Sequence, residues 1–179
     1  MDHDDSPLVQ FYACEARDVQ GRALSDMWTW DDTRLEDVHD YIQWLFPVPE
    51  PSQFNDDAPL LTQDDIAAFA ARAELRDNLR RSFVRMLGFY GLALDDGPMV
   101  TRAENFSMQA VNWLKPYDHN FLRITRILRS LTLLGLEPEA RAFLAALEEI
   151  HWAGGGGAIG ERSLGFWREA VAPASTAFR

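Results

Sequence analysis

The stretch His119-Asn120-Phe121-Leu122-Arg123-Ile124-Thr125-Arg126-Ile127-Leu128-Arg129-Ser130-Leu131 decides how this chain is read. Projected at roughly 100° per residue, Phe121, Ile124, Ile127, Leu128, Leu131 and Leu134 fill a broad arc. Arg123, Arg126 and Arg129 take the other side, but Leu122 and Leu133 fall there too. A helix that is apolar nearly all round packs on several sides at once. The spacing therefore predicts a central, largely buried helix over about 121–134, capped by Asp118 or Asn120. Its arginines are then partly buried, and a buried guanidinium requires carboxylates or an anion.

The neighbouring sequence supplies further helices. Leu35, Val38, Ile42 and Leu45 recur at helical spacing and predict a helix from about Thr33 to Phe46, ended by Pro47, Pro49 and Pro51. A second helical region covers about Gln63 to Leu92, entered by a Thr62/Asp65 capping pair, with a break near Ala73. Asp95-Asp96-Gly97-Pro98 reads as a turn. Met99–Lys115 reads as a loop and a short helix, Pro138 opens a helix reaching Trp152, and a last helix runs from about Gly160 to Val171. Gly154–Gly157 reads as a helix-ending flexible loop. Strand-like pieces are limited to Trp28–Trp30 and Met99–Arg102. The predicted fold is all-α, one compact multi-helix domain over about 8–171, with loose ends at 1–7 and 172–179.

Bulk properties bound the function. The chain has 179 residues, 47% of them hydrophobic, enough for a substantial core. Its 28 acidic and 17 basic side chains give a formal charge of −11, which disfavours nucleic acid and anionic membrane surfaces. Cys14 stands alone, so no internal disulfide forms. No apolar run approaches the roughly 20 residues of a membrane span. Met1–Pro7 is polar and acidic, unlike a signal peptide. The expected location is the cytoplasm.

Three strings carry a resemblance: His39-Asp40-Tyr41-Ile42-Gln43-Trp44-Leu45-Phe46-Pro47, Met86-Leu87-Gly88-Phe89-Tyr90-Gly91, and the stretch from His119 to Leu131. Their order, the aromatic start at Phe11-Tyr12, the Pro59-Leu60-Leu61-Thr62 helix entry and Arg102 after the turn agree with it. Together they resemble the opioid growth factor receptor conserved region, over about Leu8 to Val171. The resemblance implies a short stand-alone version of that domain, and receptor-like recognition of a peptide or protein partner.

The residues themselves offer two kinds of site. Trp44 projects opposite the apolar stripe of its helix, among Asp37 and Asp40. Either another segment covers it, such as the Trp28–Trp30 arm, or it is an exposed anchor in a groove with Tyr41 and Gln43. His39 and Gln43 flank that stripe one turn apart. Arg123 and Arg126 either pair internally with acids such as Glu36, Asp37 or Asp40, or grip a carboxylate or phosphate, with His119, Asn120 and Arg102 completing the site.

No motif assigns a catalytic residue, a metal or a cofactor. His39, His119 and His151 lack HxxxH or HExxH spacing, no GxSxG is present, and the glycine run lacks the Lys-Ser/Thr of a P-loop. The first expectation is therefore a binding module for a peptide or protein. The second is an enzyme or sensor for a small anionic metabolite held by Arg123 and Arg126. The third is an acidic scaffold.

Overall fold

A computed structural model describes residues 5–173 and shows a mostly helical domain. Helix α1 (Pro7–Tyr12) is capped by Ser6, whose hydroxyl accepts from the Val9 amide. Short helices α2 (Leu24–Trp28), α3 (Asp32–Asp37) and α4 (Ile42–Leu45) follow. Helices α5 (Gln63–Ala71) and α6 (Ala73–Tyr90) are divided at Arg72, close to the break expected near Ala73. The Thr62/Asp65 capping box forms, with Asp65 accepting from the Thr62 amide at 2.8 Å.

At the end of α6 the chain turns sharply. Gly91 has φ +76°, and a Cβ there would meet Phe106 Cα at 2.8 Å, so only glycine fits. Strands β1 (Leu92–Leu94) and β2 (Val100–Arg102) pair antiparallel, with Ala93 opposite Thr101. Helix α7 (Phe106–Trp113) then returns over α6, and Trp113 Nε1 donates to the Tyr90 carbonyl at 3.1 Å.

Helices α8 (Asn120–Leu133), α9 (Glu137–Ile150) and α10 (Gly156–Val171) complete the fold. The expected central helix is α8. It packs on both α9 and α10, and Phe121, Ile124, Ile127, Leu128 and Leu131 are buried. Trp167 of α10 closes on Phe121, its indole donating to the Phe121 carbonyl at 3.1 Å. Leu122, in contrast, is 61% exposed. The arginine side of α8 is thus a mixed face.

Three expectations are corrected. The single helix over 33–46 is two short pieces, because Val38 is extended and the chain bends through His39–Tyr41 before α4. Trp28 ends a helix and Trp30 follows the turn at Thr29 without joining any strand, so Trp28–Trp30 is not a strand. Gly154–Gly157, expected as a helix-ending loop, instead run through a π-helical turn into α10 at Gly156, and the last helix expected from about Gly160 is the stretch beyond the kink there. The chain passes through a π-helical turn at His151–Gly155, with Gly154 at φ 117° and a kink at Gly160. The expected loose ends at 1–7 and 172–179 fall largely outside the described residues, although Pro7 already belongs to α1.

Candidate functional site

The break between α3 and α4 is held by α8. Arg123 projects from α8 and is only 5% exposed. Its Nη1 donates to the Leu35 carbonyl at 2.9 Å and to Asn120 Oδ1 at 3.3 Å. Its Nη2 donates to the carbonyls of Glu36 at 3.2 Å and Val38 at 3.0 Å. Both terminal nitrogens are therefore spent on groups within the domain. A helix end leaves its last carbonyls without partners and carries partial negative charge, which a guanidinium satisfies in both respects. Glu36 Oε2 adds a charge contact at 3.5 Å.

Around this guanidinium the expected residues converge. Asn120 is buried and donates to Asp118 Oδ1 at 2.9 Å and Glu36 Oε2 at 3.2 Å. His119 Nε2 lies 3.1 Å from Glu36 Oε1. His39 is exposed, its ring edge-on to His119 with centroids 5.5 Å apart. The result is a polar corner with a buried base and a solvent-facing rim of His39, His119 and Glu36. Among the described residues no three His, Cys, Asp or Glu side chains gather as a metal site.

Tyr41 sits beneath this corner with no exposed surface, and its hydroxyl donates to the same Leu35 carbonyl at 3.0 Å. Burial pushes its pKa up to about 12, with the nearby Arg123 charge opposing the rise. Gln43 and Trp44 are 6% and 4% exposed. Trp44 is covered by α1, where Phe11 meets it edge-on at 5.2 Å. The covering segment is thus not the Trp28–Trp30 arm. The broken helix explains the misplacement, because the bend rotates α4 away from a continuous projection.

The two arginines are not equivalent. Arg126 is partly buried and donates only to the Phe46 carbonyl, at 3.3 Å. Arg123 has Glu36 and Arg129 has Glu50 at 3.1 Å, but Arg126 makes no ion pair among the described residues. Desolvation lowers its pKa, with the charge of Glu50 opposing. Arg126 lies one turn beyond exposed Leu122, on the same side of α8 as Arg129 and half-buried Leu133. Arg102 shares no hydrogen-bond or ion-pair partner with either among the described residues. It lies on β2 with its guanidinium 4.7 Å above the Phe106 ring.

Two hollows, of about 400 and 390 Å³, open elsewhere on the surface. One is lined by Gly21, Arg22, Asp26, Thr29, Trp30 and Arg34, the other by residues of α1 and α5 with Asp64 and Asp65. Sequence reasoning passed over Arg22 and read Trp30 only as part of a strand-like arm. Their signal was weak, since only the five-residue helix α2 interrupts the 13–31 segment and no periodic pattern spans it. No helix of the described residues is long and apolar enough to cross a membrane.

Residues 2–152 match the family model described as the opioid growth factor receptor conserved region. The chain is 43% identical over 152 residues to the opioid growth factor receptor of Homo sapiens, covering 78% of this chain and 22% of that protein. It is 48% identical over 116 residues to the Mus musculus receptor, covering 62% and 18%. It is 40% identical over 115 residues to opioid growth factor receptor-like protein 1 of Xenopus tropicalis, covering 64% and 22%. The matched stretch thus spans about a fifth of the length of these relatives. No solved structure matches the chain. Helix α10 lies beyond the matched residues, yet its Trp167 packs on Phe121 of α8.

Proposed function

Because the chain belongs to the opioid growth factor receptor conserved-region family, we propose that it is a recognition module for a peptide or protein partner, read by the outward face of α8. The relatives are named as receptors for an opioid growth factor. That name is carried to this chain only as a class of partner.

The observation that carries the reading is Arg126. Its guanidinium is partly desolvated, it forms no ion pair among the described residues although the charge of Glu50 reaches it, and apolar Leu122 stands exposed one turn before it. Desolvating a cation that makes no direct ion pair costs free energy that an incoming carboxylate recovers. The occupant that fits is a peptide segment with a carboxylate beside an apolar side chain. The carboxylate would pair with Arg126 and the apolar side chain would cover Leu122. His119 and His39 border the same face at its N-terminal end and offer polar contacts.

A second reading uses the same guanidinium for a small anionic metabolite, as a sensor or enzyme would. The hollows lie away from Arg126, and ligands of that size usually bind in enclosed pockets. This favours the peptide.

The test is selection from a random peptide display library. The wild-type domain is expected to enrich sequences pairing Asp, Glu or a free C-terminal carboxylate with an apolar residue. Synthetic winners should bind the Arg126→Gln and Leu122→Ser variants at least about tenfold more weakly, the loss of one charge-assisted contact. Equal binding by both variants would refute the placement. Saturation by succinate or phosphate alone would replace the peptide with the small anion.

A further inference from the structure

We infer that the partner read by the outward face of α8 is an acidic amphipathic helix. This rests on the proposed recognition role of that face, and adds the secondary structure, spacing and charge of what docks there.

The accessible side chains of α8 follow a rule. Between Asn120 and Leu133, Leu122 is exposed, Thr125, Arg126, Arg129, Thr132 and Leu133 are half-buried, and the rest are buried. Leu122, Arg126, Arg129 and Leu133 are spaced by four, three and four residues. This is the seam along which one helix packs beside another at a shallow angle. The two threonines flank it. Thr125 Oγ1 donates to the Phe121 carbonyl at 3.0 Å, and Thr132 Oγ1 donates to the Leu128 carbonyl at 2.8 Å. Their donors are spent inside α8, so between the two leucines only the arginines offer hydrogen bonds to a partner.

The partner's secondary structure follows from its backbone. A helix keeps its amides and carbonyls in its own bonds, so the side of α8 presents no edge for main-chain pairing. An extended peptide laid along it would shield amides and carbonyls from water without giving them partners, which is costly. A helix arrives with its backbone already satisfied. Such docking uses apolar anchors one or more turns apart.

The spacing sets the length. Leu122 and Leu133 are 133 − 122 = 11 residues apart, about 16 Å along the axis. A partner of about three to four turns covers that distance. The order four, three, four reads the same in both directions, so one pattern fits a parallel or an antiparallel partner.

Charge sets the composition. Arg126 makes no ion pair among the described residues and donates only to the Phe46 carbonyl. Arg129 meets Glu50 at 3.1 Å, but their side chains are 30% and 58% exposed, and such a pair is weak. Both guanidinium groups are therefore open to a partner's carboxylates. The chain's formal charge of −11 repels an acidic helix at a distance, while physiological salt screens that repulsion beyond roughly 8 Å. The fitting partner therefore carries few acids, placed opposite the two arginines, with apolar side chains opposite the two leucines.

The experiment measures fluorescence anisotropy of labelled peptides against the full chain at about 0.15 M salt. The first probe is a peptide of about 16 residues. It has leucine at its third and fourteenth positions, glutamate at its seventh and tenth, and alanine and glutamine elsewhere. The second replaces its ninth residue with proline. The third has the first probe's composition, with leucine and glutamate alternating as in a strand.

The first probe should bind saturably below about 1 mM and gain helical circular dichroism on binding. The proline probe should bind at least about tenfold more weakly. Arg129→Gln should weaken the first probe several-fold. Glu50→Gln removes the internal competitor and should strengthen it about two- to fivefold.

The inference is overturned if the first probe shows no saturable binding up to about 1 mM, or if the proline or alternating probe binds as well. In the latter case the α8 face itself stands as long as Arg126→Gln and Leu122→Ser still weaken binding. Indifference of every bound peptide to those two variants would refute the recognition role of the face.

Discussion

The Arg123 guanidinium lies 2.9 Å from the carbonyl oxygen of Leu35, 88 residues earlier in the chain, at the point where α3 ends. The same oxygen accepts from Tyr41 at 3.0 Å. One buried side chain of the central helix thereby terminates another helix and fixes the bend that follows. Because the acceptors are main-chain carbonyls, they remain in any variant, and they lose their partner when the arginine is removed.

Arg123→Ala should therefore destabilise the domain by about 3–5 kcal/mol, the range for removing one member of a buried charged set. Arg123→Lys should recover only a minor part, because a single ammonium cannot span carbonyls on both sides of a planar fork. Urea unfolding followed by circular dichroism measures both. A lysine variant as stable as wild type would show that charge alone, and not the fork, matters.

Trp44→Ala should cost about 3–5 kcal/mol, as large buried aromatics do. Its indole is 4% exposed and packs edge-on against Phe11. The thermal midpoint reads this directly. An unchanged midpoint would place the indole at the surface after all.

Stability should fall steeply in alkali. Tyr12, Tyr41 and Tyr90 are buried, and burial raises each pKa above its ordinary value of 10.0, to about 12 for Tyr41. The unfolded chain releases these protons first, so above pH 10 it binds fewer protons than the folded chain. The stabilisation is complete below about pH 10 and is lost as pH rises through the folded values. With three such groups the slope approaches about 4 kcal/mol per pH unit. Phenolate absorbance of these residues should appear together with loss of the helical signal. Phenolate formation by all three in a still-folded protein would contradict the account.

How much of this was legible in the sequence depended on periodicity. The α8 stripe marked a helix packed on several sides, and Trp167 and α9 do enclose it. The Thr62/Asp65 cap and the Arg72 break were legible because capping chemistry is local. The 33–46 segment misled because its apolar spacing suits one helix. Carbonyl bonds from Arg123, which no local pattern reveals, stabilise the bend. The misplaced Trp44 followed from that same bend. In the proposed site, burial of arginine on α8 was readable from its apolar surroundings, but the division between Arg123 and Arg126 was not. It turns on which side faces the α3–α4 junction. The Arg22 hollow left no trace, because it joins a loop, a turn and a short helix without any period.

The central claim is that α8 spends Arg123 on the fold and keeps Arg126 for a partner. Its most direct test is the unfolding free energy of Arg126→Gln measured beside that of Arg123→Ala. The account predicts that Arg126→Gln leaves stability unchanged within about 0.5 kcal/mol, or raises it by relieving an unpaired, partly desolvated charge, while Arg123→Ala loses several kcal/mol. A loss in Arg126→Gln as large as that in Arg123→Ala would contradict it, and would make Arg126 a second structural clamp.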